Sequence, residues 1–168
     1  MNRALFLDRD GVINEDYGYV HKIEDFHFRE EIFDICTAAQ KAGMKIVVVT
    51  NQAGIGRGYF SPEDFKLVTD YMLAHFESLS ITINQVYHCP FHPCSGLGHY
   101  KKYSFDRKPS PGLLVKACRD HNINPSASIM VGDSASDKAA AYSIGVRSFI
   151  DATNKAWKAD AIQAIQGR

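Results

Sequence analysis

Apolar residues along this chain gather into short unbroken runs, and polar or acidic residues end them. Ala4-Leu5-Phe6-Leu7 runs into Asp8, Ile46-Val47-Val48-Val49 into Thr50-Asn51, and Ile129-Met130-Val131 into Gly132-Asp133. Runs this short, without alternation, mark strands buried on both faces. The pattern predicts a first strand over Arg3 to Asp8, with further strands at Gln85 to His88 and Val146 to Ile150. Between the strands, apolar residues recur at helical spacing. Ile32, Ile35, Cys36 and Ala39 share one face of a helix over about Glu30 to Ala42, and Gly43 fits the position just past its end. Ser61 reads as an N-cap, with Pro62 at the first helical position and Glu63 and Asp64 in the first turn; Phe65, Val68, Met72 and Phe76 form the apolar face. Further helices are predicted from Pro111 to about His121, from Ser136 to Ile144 with Gly145 closing it, and from Ala156 as an amphipathic tail on the sheet edge.

Strands alternating with helices predict an α/β fold: a Rossmann-like, doubly wound parallel sheet in three α/β/α layers. Two connections stand apart. Asn14 to Arg29 carries Tyr17, Tyr19 and Phe26, too aromatic for a mere spacer. Cys89 to Pro109 is rich in Pro, Gly and aromatics, and loops of that length in a compact domain are usually functional or disordered.

Composition narrows the picture. At 168 residues, one domain spanning 1–168 is expected, large enough for a core without staples. Lys plus Arg and Asp plus Glu both number 19, so no net charge argues for a nucleic-acid or membrane partner. No apolar run is long enough to span a bilayer, and the N-terminus lacks the pattern of a signal peptide. Four cysteines in such a chain read as free thiols or metal ligands. The expectation is a cytoplasmic monomer.

In open α/β sheets, ligands bind beyond the carboxyl ends of the strands. Taken alone, Asp8-Arg9-Asp10-Gly11 also fits a solvated turn. Parallel strands, however, bring Asp8, Thr50-Asn51 and Asp133 to the same edge, and three oxygen-bearing strand ends favour a site. Carboxylates from two strands suit Mg²⁺, which prefers oxygen ligands. Lys108, between Arg107 and Pro109, is a cation on stiff backbone, and with the carboxylates and a hydroxyl it makes a phosphate-binding set. Asp137, one helical turn past Asp133, is placed to hold Lys108.

These residues carry a family resemblance. Asp8-Arg9-Asp10-Gly11, Thr50-Asn51-Gln52, Arg107-Lys108-Pro109 and Gly132-Asp133-Ser134-Ala135-Ser136-Asp137 resemble, in order, the four motifs of the haloacid dehalogenase-like phosphatases. Gly18 to Val20, Thr50 to Gly58, Cys89 to Pro93 and Arg107 to Gly112 are similar to the branch of D-glycero-D-manno-heptose 1,7-bisphosphate 7-phosphatases and histidinol-phosphate phosphatases. The resemblance implies a Mg²⁺-dependent phosphatase without a large cap domain. It implies Asp8 as nucleophile, Asp10 as general acid and base, and Thr50 and Asn51 as donors to the phosphoryl oxygens. It implies Lys108 as the charge-offsetting cation, and Asp8, Asp133 and the Asp10 carbonyl as Mg²⁺ ligands, with Asp137 behind them. Arg107 resembles the residue that grips a second phosphate. Gln52, Arg57 and Tyr19 fall on the substrate side, in short loops expected to shape the pocket for a phosphorylated sugar.

The chain departs from the branch at one point. Many relatives hold zinc with a Cys-x-His pair and a later Cys-x-Cys pair. Cys89 and His92 match the first half, but Ser104-Phe105-Asp106 stands in place of the second. Zinc is therefore not expected, and Tyr100, Tyr103 and Phe105 are expected to pack the loop instead. Histidinol phosphate or a nucleic-acid 3′-phosphate are rival substrates on the same fold, and zero net charge speaks against the latter. A binding domain without activity is the non-enzymatic rival, and the intact acids and lysine speak against it.

Overall fold

The computed structural model describes residues 1–167. Five parallel strands form one sheet: β1 (Ala4–Leu7), β2 (Lys45–Asn51), β3 (Gln85–Cys89), β4 (Ile129–Gly132) and β5 (Ser148–Asp151), in the order β3-β2-β1-β4-β5. β1 lies at the centre, with Leu5 opposite Ile46 on one side and Ile129 on the other. Successive strand side chains point to opposite faces. Leu5, Leu7, Ile46, Val48, Ile129 and Val131 pack on helices α1 (Glu31–Lys41), α3 (Pro62–Ser78) and α6 (Trp157–Gln166). Ala4, Phe6, Val47, Val49 and Met130 pack on α4 (Gly112–Asp120) and α5 (Ala135–Ser143). This is the expected three-layer, doubly wound architecture. The chain leaves β1 for β2 on one side and returns to β4 on the other, so a crevice opens beyond the carboxyl ends of β1, β2 and β4.

Local chemistry sets most element boundaries. The Ser61 hydroxyl accepts the Asp64 N–H (3.0 Å) while the Asp64 carboxylate accepts the Ser61 N–H (2.8 Å), a reciprocal cap that starts α3 where the sequence places it. Three details differ from expectation. β5 begins at Ser148 because the Val146 and Arg147 amides turn back to the carbonyls of Ala141 and Ser128. The tail helix lies on the sheet face beside α1, because Trp157, Ala161 and Ile165 are buried against it. A short helix, α2 (Ala53–Gly56), occupies part of what reads as loop; a side chain at Gly56 would meet the Pro90 carbonyl at 2.3 Å, so glycine lets this turn press against the long connection.

The aromatic connection after β1 divides its residues. Val20 and Phe26 are buried in the core beneath α3, while Tyr17 and Tyr19 face solvent. Among the described residues, no helix is long and apolar enough to cross a membrane.

Candidate active site

A cavity of about 300 Å³ sits in the crevice beyond β1, β2 and β4. Asp8 enters it from the end of β1, and its backbone N–H still pairs with the Val131 carbonyl (3.1 Å), which holds that carboxylate against the sheet. Gly11 turns the chain back at φ +81°; a Cβ there would stand 2.0 Å from the Asp133 carboxylate. The loop after β1 and the end of β4 are thus in direct contact, and only glycine fits between them. Arg29 fastens the arrangement by donating to the carbonyls of Gly11 and Ala152 while its guanidinium lies over Trp157.

Lys108 reaches the bottom of the cavity. Its Nζ lies 2.9 Å from Asp8 Oδ1 and 2.6 Å from Asp137 Oδ1, and it donates to the Val49 carbonyl (2.8 Å). Burial works against the ammonium, but Asp8 and Asp137 more than offset it and hold its pKa above the ordinary lysine value. Asp137 is wholly buried. Its other oxygen accepts the N–H groups of Asp133 and Ser134 and the Ser134 hydroxyl, so one carboxylate both caps α5 and faces the ammonium. Asn51 grips the lysine backbone at two points: its amide N–H donates to the Lys108 carbonyl and its amide oxygen accepts the Lys108 N–H, both at 3.0 Å.

Asp10 lies beside this chain of charges. Its Oδ1 accepts from Arg9 Nη2 (2.7 Å), Arg9 Nε (3.1 Å) and Asn14 Nδ2 (3.0 Å), and its Oδ2 from Gln52 Nε2 (2.9 Å). Gln52 Nε2 also donates to Thr50 Oγ1 (3.0 Å). Thr50 is buried at the end of β2 behind the cavity wall, and its hydroxyl donates to the distant Asn51 carbonyl (3.5 Å). The structure therefore gives Asn51 and Gln52 partners within the protein besides any they offer a substrate.

Carboxylates crowd here. Burial pushes the Asp8 carboxyl above the usual range against the pull of Lys108, and Asp137 and Asp10 add to it. Burial, Asp137 and Asp16 raise Asp133 to about 6. Asp8, Asp133 and Asp137 are, among the described residues, the one group of three or more possible ligands with atoms within 4.8 Å of each other. All donors are oxygen and the local charge is negative, a set that fits Mg²⁺ and does not fit a soft metal.

The far wall of the cavity is cationic and aromatic. The Arg57 guanidinium lies 5.7 Å from the centre of the Tyr19 ring, and Tyr19 meets Tyr59 edge to face at 4.7 Å. Arg107 lines the same wall and donates to the Phe91 carbonyl (3.3 Å); burial, then the neighbouring Arg57, pulls its pKa below the ordinary value. Both arginines line the cavity, and each is a donor suited to an anion.

The long connection packs only in part as expected. Tyr100 packs against the cluster of Ile55, Phe60 and Phe65, but Tyr103 and Phe105 are 88% and 62% exposed. Backbone bonds close the loop instead: His92 N–H to the Tyr100 carbonyl (3.1 Å), Gly96 N–H to His92 (3.2 Å) and Leu97 N–H to Gly56 (2.7 Å). His92 Nδ1 accepts the N–H groups of Cys94 and Ser95, while Cys89 is buried at the end of β3. The sequence reading gives no role to Arg9 or Asn14, both buried at the heart of the site. An arginine set directly between two acids after a buried strand was the available signal for Arg9.

A family model described as HAD-hydrolase-like matches residues 105–167. The chain is 50% identical over 145 residues to a D-glycero-alpha-D-manno-heptose-1,7-bisphosphate 7-phosphatase of Burkholderia mallei, covering 86% of this chain and 77% of that protein. It is 46% identical over 143 residues to a D-glycero-beta-D-manno-heptose-1,7-bisphosphate 7-phosphatase of Vibrio cholerae, covering 85% and 77%. Among solved structures, the D,D-heptose 1,7-bisphosphate phosphatase of B. bronchiseptica, complexed with magnesium and phosphate, superposes with a TM-score of 0.77 at 26% identity, over 87% of this chain and 78% of that one.

Proposed function

This chain belongs to the haloacid dehalogenase-like phosphatases, in the branch of the heptose-1,7-bisphosphate 7-phosphatases, and from that premise we propose that it removes the 7-phosphate of a D-glycero-D-manno-heptose 1,7-bisphosphate through an aspartyl phosphate on Asp8. The observation that carries the reading is the contact of Lys108 with Asp8 and Asp137, at the one sheet edge that also presents Asp10 and Asp133.

An Asp8 carboxylate oxygen attacks the phosphorus and the ester P–O bond breaks. Asp10 delivers a proton to the departing alkoxide. Asp10 then takes a proton from water, whose oxygen attacks the same phosphorus; the acyl phosphate opens, inorganic phosphate leaves and Asp8 is restored. Lys108 offsets charge on Asp8 and the transferred group, and Thr50 donates its hydroxyl to a phosphoryl oxygen. Asp8, Asp133 and the Asp10 backbone carbonyl would hold Mg²⁺, which supplies neutralisation of the phosphoryl oxygens. The test is a panel of phosphorylated metabolites, histidinol phosphate included, assayed with Mg²⁺ and with EDTA. The heptose bisphosphate should lead the panel, and activity undiminished by EDTA removes Mg²⁺ from the reading.

Arg57 and Arg107 carry the choice of a bisphosphate, since guanidinium forks suit a second phosphate across the cavity. Arg107→Ala is expected to lower kcat/KM on the bisphosphate by roughly 30-fold or more and on a monophosphate by less than about threefold, the loss of one charge-assisted contact. Equal losses on both would show that Arg107 reads no second phosphate.

The loop from Cys89 to Asp106 is expected to bind no stoichiometric zinc. Ser104 stays protonated at neutral pH and is a poor ligand, and His92 Nδ1 already accepts two backbone N–H groups. Elemental analysis of protein purified without added metal checks this, and a content near about one zinc per chain would refute it.

A further inference from the structure

Arg9 is 1% exposed and sits where an apolar side chain would pack more simply, with its guanidinium 5.8 Å from the ring centres of both Phe26 and Phe65. Burying a guanidinium in such a place is unfavourable unless each N–H finds a partner, and Nη1 has none. Its remaining donors have two targets. Nε and Nη2 hold Asp10 Oδ1, and Nη2 also donates to the Val20 carbonyl (2.7 Å), so the loop that walls the cavity anchors the guanidinium. From the opposite side Gln52, 4% exposed, holds Asp10 Oδ2 and the Thr50 hydroxyl oxygen with one nitrogen.

We propose that Arg9 and Gln52 are positioning residues that clamp Asp10 between them and so fix where its proton is delivered. The proposal rests on Asp10 being the proton donor to the leaving group. Neither residue needs to touch substrate. Gln52 acts on two groups at once: the nitrogen that holds Asp10 also donates to Thr50 Oγ1, so its removal frees the Thr50 hydroxyl as well.

A clamp on the proton donor matters only when the leaving group needs a proton. An alkoxide leaving from a sugar phosphate does. The p-nitrophenolate ion leaving from p-nitrophenyl phosphate does not, because it is stable at neutral pH. In a reaction through a covalent intermediate, kcat/KM reports only the steps up to and including the transfer to Asp8, so the later use of Asp10 as a base does not enter.

The experiment measures kcat/KM of Gln52→Leu, Arg9→Lys and Asp10→Asn on a sugar phosphate and on p-nitrophenyl phosphate, with melting temperatures alongside. Arg9→Lys is expected to lose about 30-fold or more on the sugar phosphate and less than about threefold on the aryl ester, part of the effect of general-acid catalysis. Gln52→Leu also releases Thr50 and is expected to lose on both substrates, but about 10-fold or more further on the sugar phosphate. A merely structural role lowers both substrates by the same factor, and that result overturns the proposal. Asp10→Asn separates the two readings. If its loss is selective for the sugar phosphate but the clamp variants' losses are not, the clamp alone is wrong. If its loss is not selective, the proton-donor reading falls and takes the clamp with it. Should Arg9→Lys melt too low to assay, Gln52→Leu decides the matter, since it removes the other jaw without touching the buried charge.

Discussion

Asp8→Asn is expected to abolish turnover, lowering kcat by about 10⁴-fold or more on every substrate. The exchange keeps shape and burial while removing the nucleophilic charge, and an amide cannot form the acyl phosphate. Aryl esters should be lost together with sugar phosphates, which sets this variant apart from changes at Asp10. The fold should survive. Burial and the nearby Asp137 and Asp10 already disfavour the Asp8 charge, and Lys108 keeps its contacts with Asp137 and the Val49 carbonyl. The melting temperature at neutral pH should therefore not fall below that of the parent protein. An inactive variant that melts at the parent temperature places the loss in the chemistry, whereas appreciable turnover by well-folded Asp8→Asn protein removes Asp8 as nucleophile.

Lys108→Met should damage the molecule in two ways at once. The lysine side chain is 2% exposed, and the carboxylates it meets are 13% and 0% exposed, so solvent cannot screen them when the ammonium goes. Removing one partner of a buried pair leaves uncompensated charge, at about 3–5 kcal/mol. For a chain of this size that corresponds to a fall in melting temperature of roughly 10 °C. Loss of the cation beside the transferred group should lower kcat by about 10³-fold. Adding Asp137→Asn separates the effects: neutralising one stranded carboxylate should restore part of the melting temperature and none of the activity, a non-additivity expected of groups in contact. If Lys108→Met melts with the parent, the two ion pairs do not support the fold.

The architecture was legible because it depends on patterns local to each segment. Leu5-Phe6-Leu7, Ile46 to Val49 and Ile129 to Val131 could only be strands buried on both faces, and the residues ending them had to meet at one edge. Ser61, Pro62 and Asp64 announced α3 through chemistry confined to four positions. Partnerships across the fold were not legible. Thr50 and Asn51 read as donors to a phosphoryl group and Gln52 as a substrate-side residue, yet Asn51 turns to the backbone of a residue 57 positions away and Gln52 to one 42 positions back. Nothing in a strand's own sequence reveals which distant group its side chains will meet. Tyr103 and Phe105 misled for a different reason: apolar residues are common on surfaces, and a loop closed by backbone bonds does not need them inside. In α2, two glycines in four residues concealed a helical turn, since glycine there serves close contact with Phe60 and Pro90 and not helix propensity.

The two-point grip of Asn51 on Lys108 separates inheritance at two neighbouring parts of the molecule. The backbone of Lys108 takes its place from the end of β2 and its ammonium from Asp8, Asp137 and the Val49 carbonyl, whereas the loop from Pro90 to Asp106 is closed largely by bonds of its own, a contact with Gly56 and one with Arg107. Mutations can therefore accumulate in the loop without registering at the lysine. A lineage could exchange a metal staple for main-chain pairing there, or recolour the rim that greets the substrate, while the charge at the bottom of the crevice stays where it was. Asn51 carries the backbone share of that tolerance: a change at that one position would leave the lysine held by its ammonium alone.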